Sequence, residues 1–243
     1  MNNVNIPEEV LERVIARQGR LHAYESLVPG STALLVVDMQ NYFMADGELV
    51  CCPQARGIVP NVNRLAAEMR DAGGLVVWIQ GAAPDETLVS WANLHALYTP
   101  EKRELRRRRL SEGSPGYELW AELDVAPQDL RIVKSRYSAF IQGASGIESL
   151  LHARGMDTVI VTGVATNVCC ESTARDAMML GFRTLMVSDA NAAFTDDEHN
   201  AALASFFLFF GDVQSTDEVV AMLRAGTSRT ARGAGLAAAG TRP

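Results

Sequence analysis

Apolar residues along this chain come in short unbroken runs separated by longer stretches of mixed character. Five such runs lie at residues 32–37 (TALLVV), 75–79 (LVVWI), 130–133, 158–162 (TVIVT) and 184–187, and a sixth, shorter one surrounds Val213. A run without polar alternation predicts a strand covered on both faces, as in a parallel sheet. Between the runs helical spacing dominates. Residues 7–19 predict a helix with Pro7 near its start and Gly19 at its end. Residues 61–72 place Leu65, Ala66 and Met69 on one face before Gly73-Gly74 stops them. Further helices are predicted over 147–154, 169–180, 197–210 and 217–224.

Alternating strands and helices predict one three-layer α/β/α domain around a mostly parallel, six-stranded, Rossmann-like sheet. Residues 1–29 form an N-terminal helix and arm, and 30–224 the domain proper. Residues 225–243, rich in Gly, Ala, Thr and Arg without periodicity, read as a mobile tail. Residues 81–118 read as polar and irregular, with a basic run at 106–109 taken as a solvated face, a gate for an anionic substrate being the competing role. Trp78, Trp91 and Trp120 read as core or loop anchors.

The chain has 243 residues, 48% of them hydrophobic, which excludes intrinsic disorder and a fibrous repeat. A net charge of -7 repels phosphate backbones, so nucleic acid is not an expected partner. No apolar run is long enough to cross a membrane, and residues 1–13 lack the pattern of a signal peptide. A cytoplasmic protein with no membrane partner is the expectation. The four cysteines form two adjacent pairs, Cys51-Cys52 and Cys169-Cys170, which fits neither a disulfide scaffold nor a CxxC motif.

Parallel sheets bind ligands beyond the carboxyl ends of their strands. Asp38, Gln80, Lys134 and the segment 163–169 fall there. Helical geometry separates the two later cysteines. Cys170 shares the apolar face of Ala174 and Ala177 and reads as an inert core thiol. Cys169 sits at the predicted helix start, where the macrodipole is expected to lower a thiol pKa. None of His22, His95, His152 and His199 follows a strand, and the last two read as surface or half-buried. Asp38 is therefore the candidate base, with Lys134 holding it ionised. Taken singly, Asp38 also reads as a turn cap, Lys134 as a surface lysine and Cys169 as a small buried hydrophobe.

Three segments carry a resemblance: ALLVVDMQN at 33–41, KSRYSAF at 134–140 and GVATNVCCESTARDA at 163–177. In order and spacing they resemble the isochorismatase-like cysteine hydrolase superfamily. The resemblance implies an Asp38–Lys134–Cys169 triad and a non-proline cis peptide between Val164 and Ala165. It implies an oxyanion hole from the N–H groups of Ala165 and Cys169. Gln80, Tyr137 and Phe140 become candidate substrate contacts, with packing as the competing role for each.

The departures from family patterns narrow the activity. Nicotinamidases of the superfamily carry an Asp-x-His metal motif where this chain has QGAAPDE at 80–86, so no metal and no cofactor are expected. Isochorismatases usually lack the cysteine, so Cys169 favours amide chemistry. The TNVC run at 166–169 is similar to that of ureidoacrylate and N-carbamoyl amidohydrolases. The expected activity is hydrolysis of a C–N bond in a small linear amide, ureido or carbamoyl compound through a thiol acyl-enzyme. The alternatives are vinyl-ether hydrolysis with Asp38 as general acid, a catalytically silent binding protein, and a vicinal-thiol redox protein. Relatives form dimers or tetramers, so a homo-oligomer is expected, with the N-terminal helix and long loops available to pack on a partner.

Overall fold

The computed structural model describes residues 1–239. Six parallel strands form one sheet: β1 Thr32–Val37, β2 Leu75–Gly81, β3 Leu130–Lys134, β4 Thr158–Val164, β5 Arg183–Ala192 and β6 Asp212–Gln214. Their spatial order is β3-β2-β1-β4-β5-β6. The chain thus builds outward from β1 in one direction, then returns to its other side with β4. That reversal between β1 and β4 opens a crevice at the carboxyl edge of the sheet, where such folds bind ligands.

The unbroken apolar runs have a direct cause. Along β1, Leu34 and Val36 face one core, whereas Ala33, Leu35 and Val37 face another. The described residues hold ten α-helices: α1 Glu8–Gln18, α2 Asn41–Met44, α3 Val59–Asp71, α4 Thr87–Ser90, α5 Ala92–His95, α6 Pro100–Arg109, α7 Ile147–Ala153, α8 Glu171–Met179, α9 Asp196–Phe209 and α10 Thr216–Ala239. Val62, Leu65 and Met69 of α3 join Val219 and Leu223 of α10 in the first core. Leu151 of α7, Ala174 and Ala177 of α8, and Leu203 and Phe206 of α9 fill the second. α1 buries Val10 and Val14 and packs along α9 of its own chain. The arm before it is tied down by buried Asn2, whose amide donates to Asp196 Oδ1 at 3.0 Å.

Several boundaries differ from the sequence expectation. β5 runs to Ala192 although polar residues follow Val187. Asn191 explains the extension: where the register to β4 slips between Val161 and Gly163, its amide donates to Val161 O and Val187 O. The stretch expected to be irregular holds α4, α5 and α6. Thr99 caps α6 by accepting from Lys102 N, with Pro100 next and Glu101 in the first turn. Its start signals are present, but no apolar stripe follows them. The final helix does not close at Arg224. It continues to Ala239 across part of the expected tail, and residues 240–243 lie outside the described residues. No helix among the described residues is long and apolar enough to cross a membrane.

Candidate active site

β1 ends at Val37, and Asp38 turns the chain away with φ +53, the only non-glycine residue with positive φ among those described. Asp tolerates this left-handed conformation better than most side chains. The turn leaves the Asp38 carboxylate fully buried at the crevice. Lys134, at the end of β3, donates from Nζ to Asp38 Oδ2 at 2.7 Å and to Arg136 O at 3.0 Å. β1 and β3 are separated by β2, roughly 10 Å at ordinary strand spacing. The lysine must therefore cross the end of β2, and Gly81 stands there. A Cβ at Gly81 would lie 3.2 Å from Asp38 Oδ1. Gln40 secures that strand end, accepting from Gly81 N at 2.7 Å and donating to Gly81 O at 3.1 Å.

From the other side of β1 comes β4. Gly163 has φ +116, and a Cβ there would fall 2.1 Å from Val37 O, so only glycine permits this approach of the two strands. The Val164–Ala165 peptide bond is cis. Thr166–Cys170 then forms a single π-helical turn that leads into α8. Cys169 is thus the fourth residue of the turn and not the first of a helix. His199 of α9 braces the turn: its Nδ1 lies 2.8 Å from Thr166 Oγ1 and its Nε2 lies 3.0 Å from Ser188 O. Because Ser188 O can only accept, Nε2 carries the proton and the Thr166 hydroxyl donates to Nδ1. Burial lowers the pKa of His199, which favours this neutral form. The sequence expectation of a surface or half-buried histidine is corrected here, since His199 is wholly buried.

Asp38, Lys134, Cys169, Val164, Ala165 and Tyr137 line one cavity of about 160 Å³. Two of the expected substrate contacts do not. Gln80 lies inside β2 and donates to Tyr117 O at 3.0 Å, and Phe140 packs in the second core against Phe182. Cys170 is buried in that core, with Sγ near Thr162 O. Sequence reasoning missed other lining residues, Tyr42, Cys52, Trp91 and Tyr98, and left Arg106 undistinguished within its basic run. Trp91 packs edge-on to Tyr137 with centroids 4.9 Å apart, and the Arg136 guanidinium lies over the Trp91 ring. Arg106 is not on a solvated face but is buried.

The electrostatics depart from expectation at the thiol. Burial pushes the Cys169 pKa up, the Asp38 carboxylate adds to the rise, and Lys134 opposes both. The expected lowering by a helix terminus does not hold, because a desolvated thiolate beside a carboxylate is the costlier charge. Burial is the largest influence on Lys134 and works against its charge, but the combined attraction of Asp38 and the neighbouring thiols outweighs it and the lysine pKa is raised. The resting arrangement is a protonated thiol facing a lysine-paired carboxylate. Asp38 Oδ1 has no hydrogen-bond partner and is free to take a proton. Among the described residues, no three His, Cys, Asp or Glu side chains gather as metal ligands.

Comparison with known proteins places this geometry. Residues 32–218 match the family described as "Isochorismatase domain". The chain is 36% identical over 214 residues to the ureidoacrylate amidohydrolase RutB of Variovorax paradoxus, covering 82% of each protein. A cysteine hydrolase from Pseudomonas syringae pv. phaseolicola superimposes with a TM-score of 0.76 at 27% identity, over 85% of this chain and 98% of that one. N-carbamoylsarcosine amidase from Thermoplasma acidophilum does so with a TM-score of 0.62 at 27% identity, over 77% and 97%. The matched span runs from the first residue of β1 into α10 and contains the cavity-lining acid, lysine and thiol, and on that basis the chain belongs to the isochorismatase family.

Proposed function

We propose that this protein hydrolyses a C–N bond in a small ureido, carbamoyl or linear amide compound through a covalent thioester on Cys169. The observation that carries the reading is the buried Asp38–Lys134 pair, with its free carboxylate oxygen in the same cavity as the Cys169 thiol. It is supported by the relatives named as ureidoacrylate amidohydrolase and N-carbamoylsarcosine amidase.

Asp38 takes the thiol proton as Cys169 sulfur attacks the carbonyl carbon. The raised thiol pKa makes this one concerted event, since a free thiolate is scarce at neutral pH. The N–H groups of Ala165 and Cys169 receive the oxyanion. Protonated Asp38 returns its proton to the leaving nitrogen, and the C–N bond breaks. Asp38 then deprotonates a water that attacks the thioester and frees the thiol. Lys134, hydrogen-bonded to Asp38, offsets the carboxylate's charge and screens it from the forming thiolate. We further propose a cytoplasmic homodimer or homotetramer, which sedimentation of the purified protein and cell fractionation test.

The primary test is ammonia release, direct or through carbamate breakdown, from ureido acids, N-carbamoyl amino acids and linear amides. Wild type is expected to turn over one of these classes, and Cys169→Ala to lose at least about 1000-fold in kcat. A fully active Cys169→Ala would instead support Asp38 acting alone as a general acid.

A further inference from the structure

We propose that Arg106 is the substrate-recognition residue of this cavity, and that it receives a carboxylate at the end of the substrate remote from the scissile bond. This deepens the proposed function and rests on it for the identity of the reacting group.

The four consecutive arginines of α6 have four different surroundings. Arg107 pairs with Asp85 and Glu104, Arg108 reaches Glu104 at 3.9 Å, and Arg109 reaches Glu48 at 3.4 Å. Arg106 has no ion pair among the described residues. It is only 9% exposed, lines the cavity that holds Cys169, and keeps Nη1 fully buried with no hydrogen-bond partner. Its charge is felt by Tyr42, His95 and Tyr137. Glu48, the carboxylate near Tyr42, is engaged by Arg109. A guanidinium taken out of water without a counter-ion is unstable, so an anion arriving in the cavity gains the whole uncompensated interaction.

A second unpaired group stands in the same wall. The Tyr42 hydroxyl is buried without a partner, and burial raises its pKa, so it remains an O–H donor. A planar guanidinium fork with a hydroxyl donor in the same lining suits a carboxylate, which accepts along both oxygens. The other arginine in the lining, Arg136, is already committed: it donates to Ser90 O, Ser90 Oγ and Ser135 O and lies over Trp91. The same lining contributes the apolar side chains of Phe43, Leu110 and Val168, which suit a short hydrocarbon spacer. The substrate class is therefore a small ω-ureido or N-carbamoyl monocarboxylic acid.

The test compares 3-ureidopropionate with n-propylurea, which keeps the ureido group and spacer but lacks the carboxylate. Wild type is expected to favour the acid by roughly 100-fold or more in kcat/KM, the scale of a charge-assisted bidentate contact. Arg106→Met should raise KM for the acid at least 10-fold more than KM for propylurea, with kcat changed less than KM. Arg106→Lys, which keeps the charge without the fork and guards against loss of folding, should fall between the two. A binding arm separates this proposal from the reaction chemistry: 3-ureidopropionate is titrated calorimetrically into Cys169→Ala and into Cys169→Ala/Arg106→Met. Binding by the first and not the second supports the carboxylate role even where no turnover occurs. Equal losses for acid and neutral compound, equal affinity of the two proteins, or a wild-type preference for propylurea would each overturn it.

Discussion

Cys169 presents an inverted form of thiol activation. Its burial and the neighbouring carboxylate raise the thiol pKa, so the nucleophile forms only as its proton leaves for Asp38. The expected signature is kinetic. Alkylation of Cys169 by iodoacetamide, followed by mass spectrometry of its peptide, should keep accelerating up to at least about pH 10, because the reactive form grows as pH approaches a raised pKa. A plateau below pH 8 would mean a stabilised thiolate and would reject this reading. The ion pair makes a second prediction. Removing one member of a buried pair strands the other, so Lys134→Met should cost about 3–5 kcal/mol in denaturant unfolding. The double variant Asp38→Asn/Lys134→Met should recover much of that loss yet remain inactive. At this scale the sequence was informative where a polar residue interrupted an apolar run, as at Asp38 and Lys134. At Arg106 it was less informative, since a basic run offers a contact for an anion but carries no mark of which member is turned inward.

Elements at the crevice owe their positions to residues that never meet the substrate. Gly163 lets β4 come against β1, and Gly163→Ala should lose about 3 kcal/mol or more, roughly 10 °C in Tm, from backbone strain and the clash with Val37 O. Thermal unfolding of the purified variant checks it. His199 holds the π-helical turn from behind, and its lowered pKa fixes the sign of a pH effect. The unfolded chain binds a proton at His199 more readily than the folded one. Stability therefore falls as pH drops below about 6.5, the ordinary histidine value, until the folded pKa is reached. His199→Gln should flatten that part of the Tm-against-pH curve, and an unchanged slope would remove His199 as its source. Strand cores were legible because continuous burial imposes continuous apolarity. The length of β5 was not, because Asn191 satisfies backbone carbonyls from inside the sheet, a task that leaves a polar residue where the pattern calls for an end. The π-helical turn was equally hidden, since its five residues differ in hydrogen bonding and not in composition.

For the whole molecule, the sheet and its two cores follow from one pattern, strands alternating with helices, and the single reversal between β1 and β4 locates the crevice. The excursion between β2 and β3 follows no such rule. Its helices are short or polar: α6 is held by its Thr99 cap and the Arg107–Asp85 ion pair, and α4 meets α5 through the Thr87–His95 hydrogen bond, with no apolar stripe. Asp38, Lys134 and Cys169 stand on or beside strand ends, whereas Trp91, Tyr98, Arg106 and Leu110 come from the excursion. That division has a consequence for how such a protein can change over generations. Residues 84–114 can be exchanged, lengthened or shuffled without breaking a ladder hydrogen bond of the sheet, so substrate choice and bond-breaking chemistry are free to drift at different speeds. Directed evolution toward a new substrate has its natural library at positions 91, 98, 106 and 110, with the strand ends left untouched.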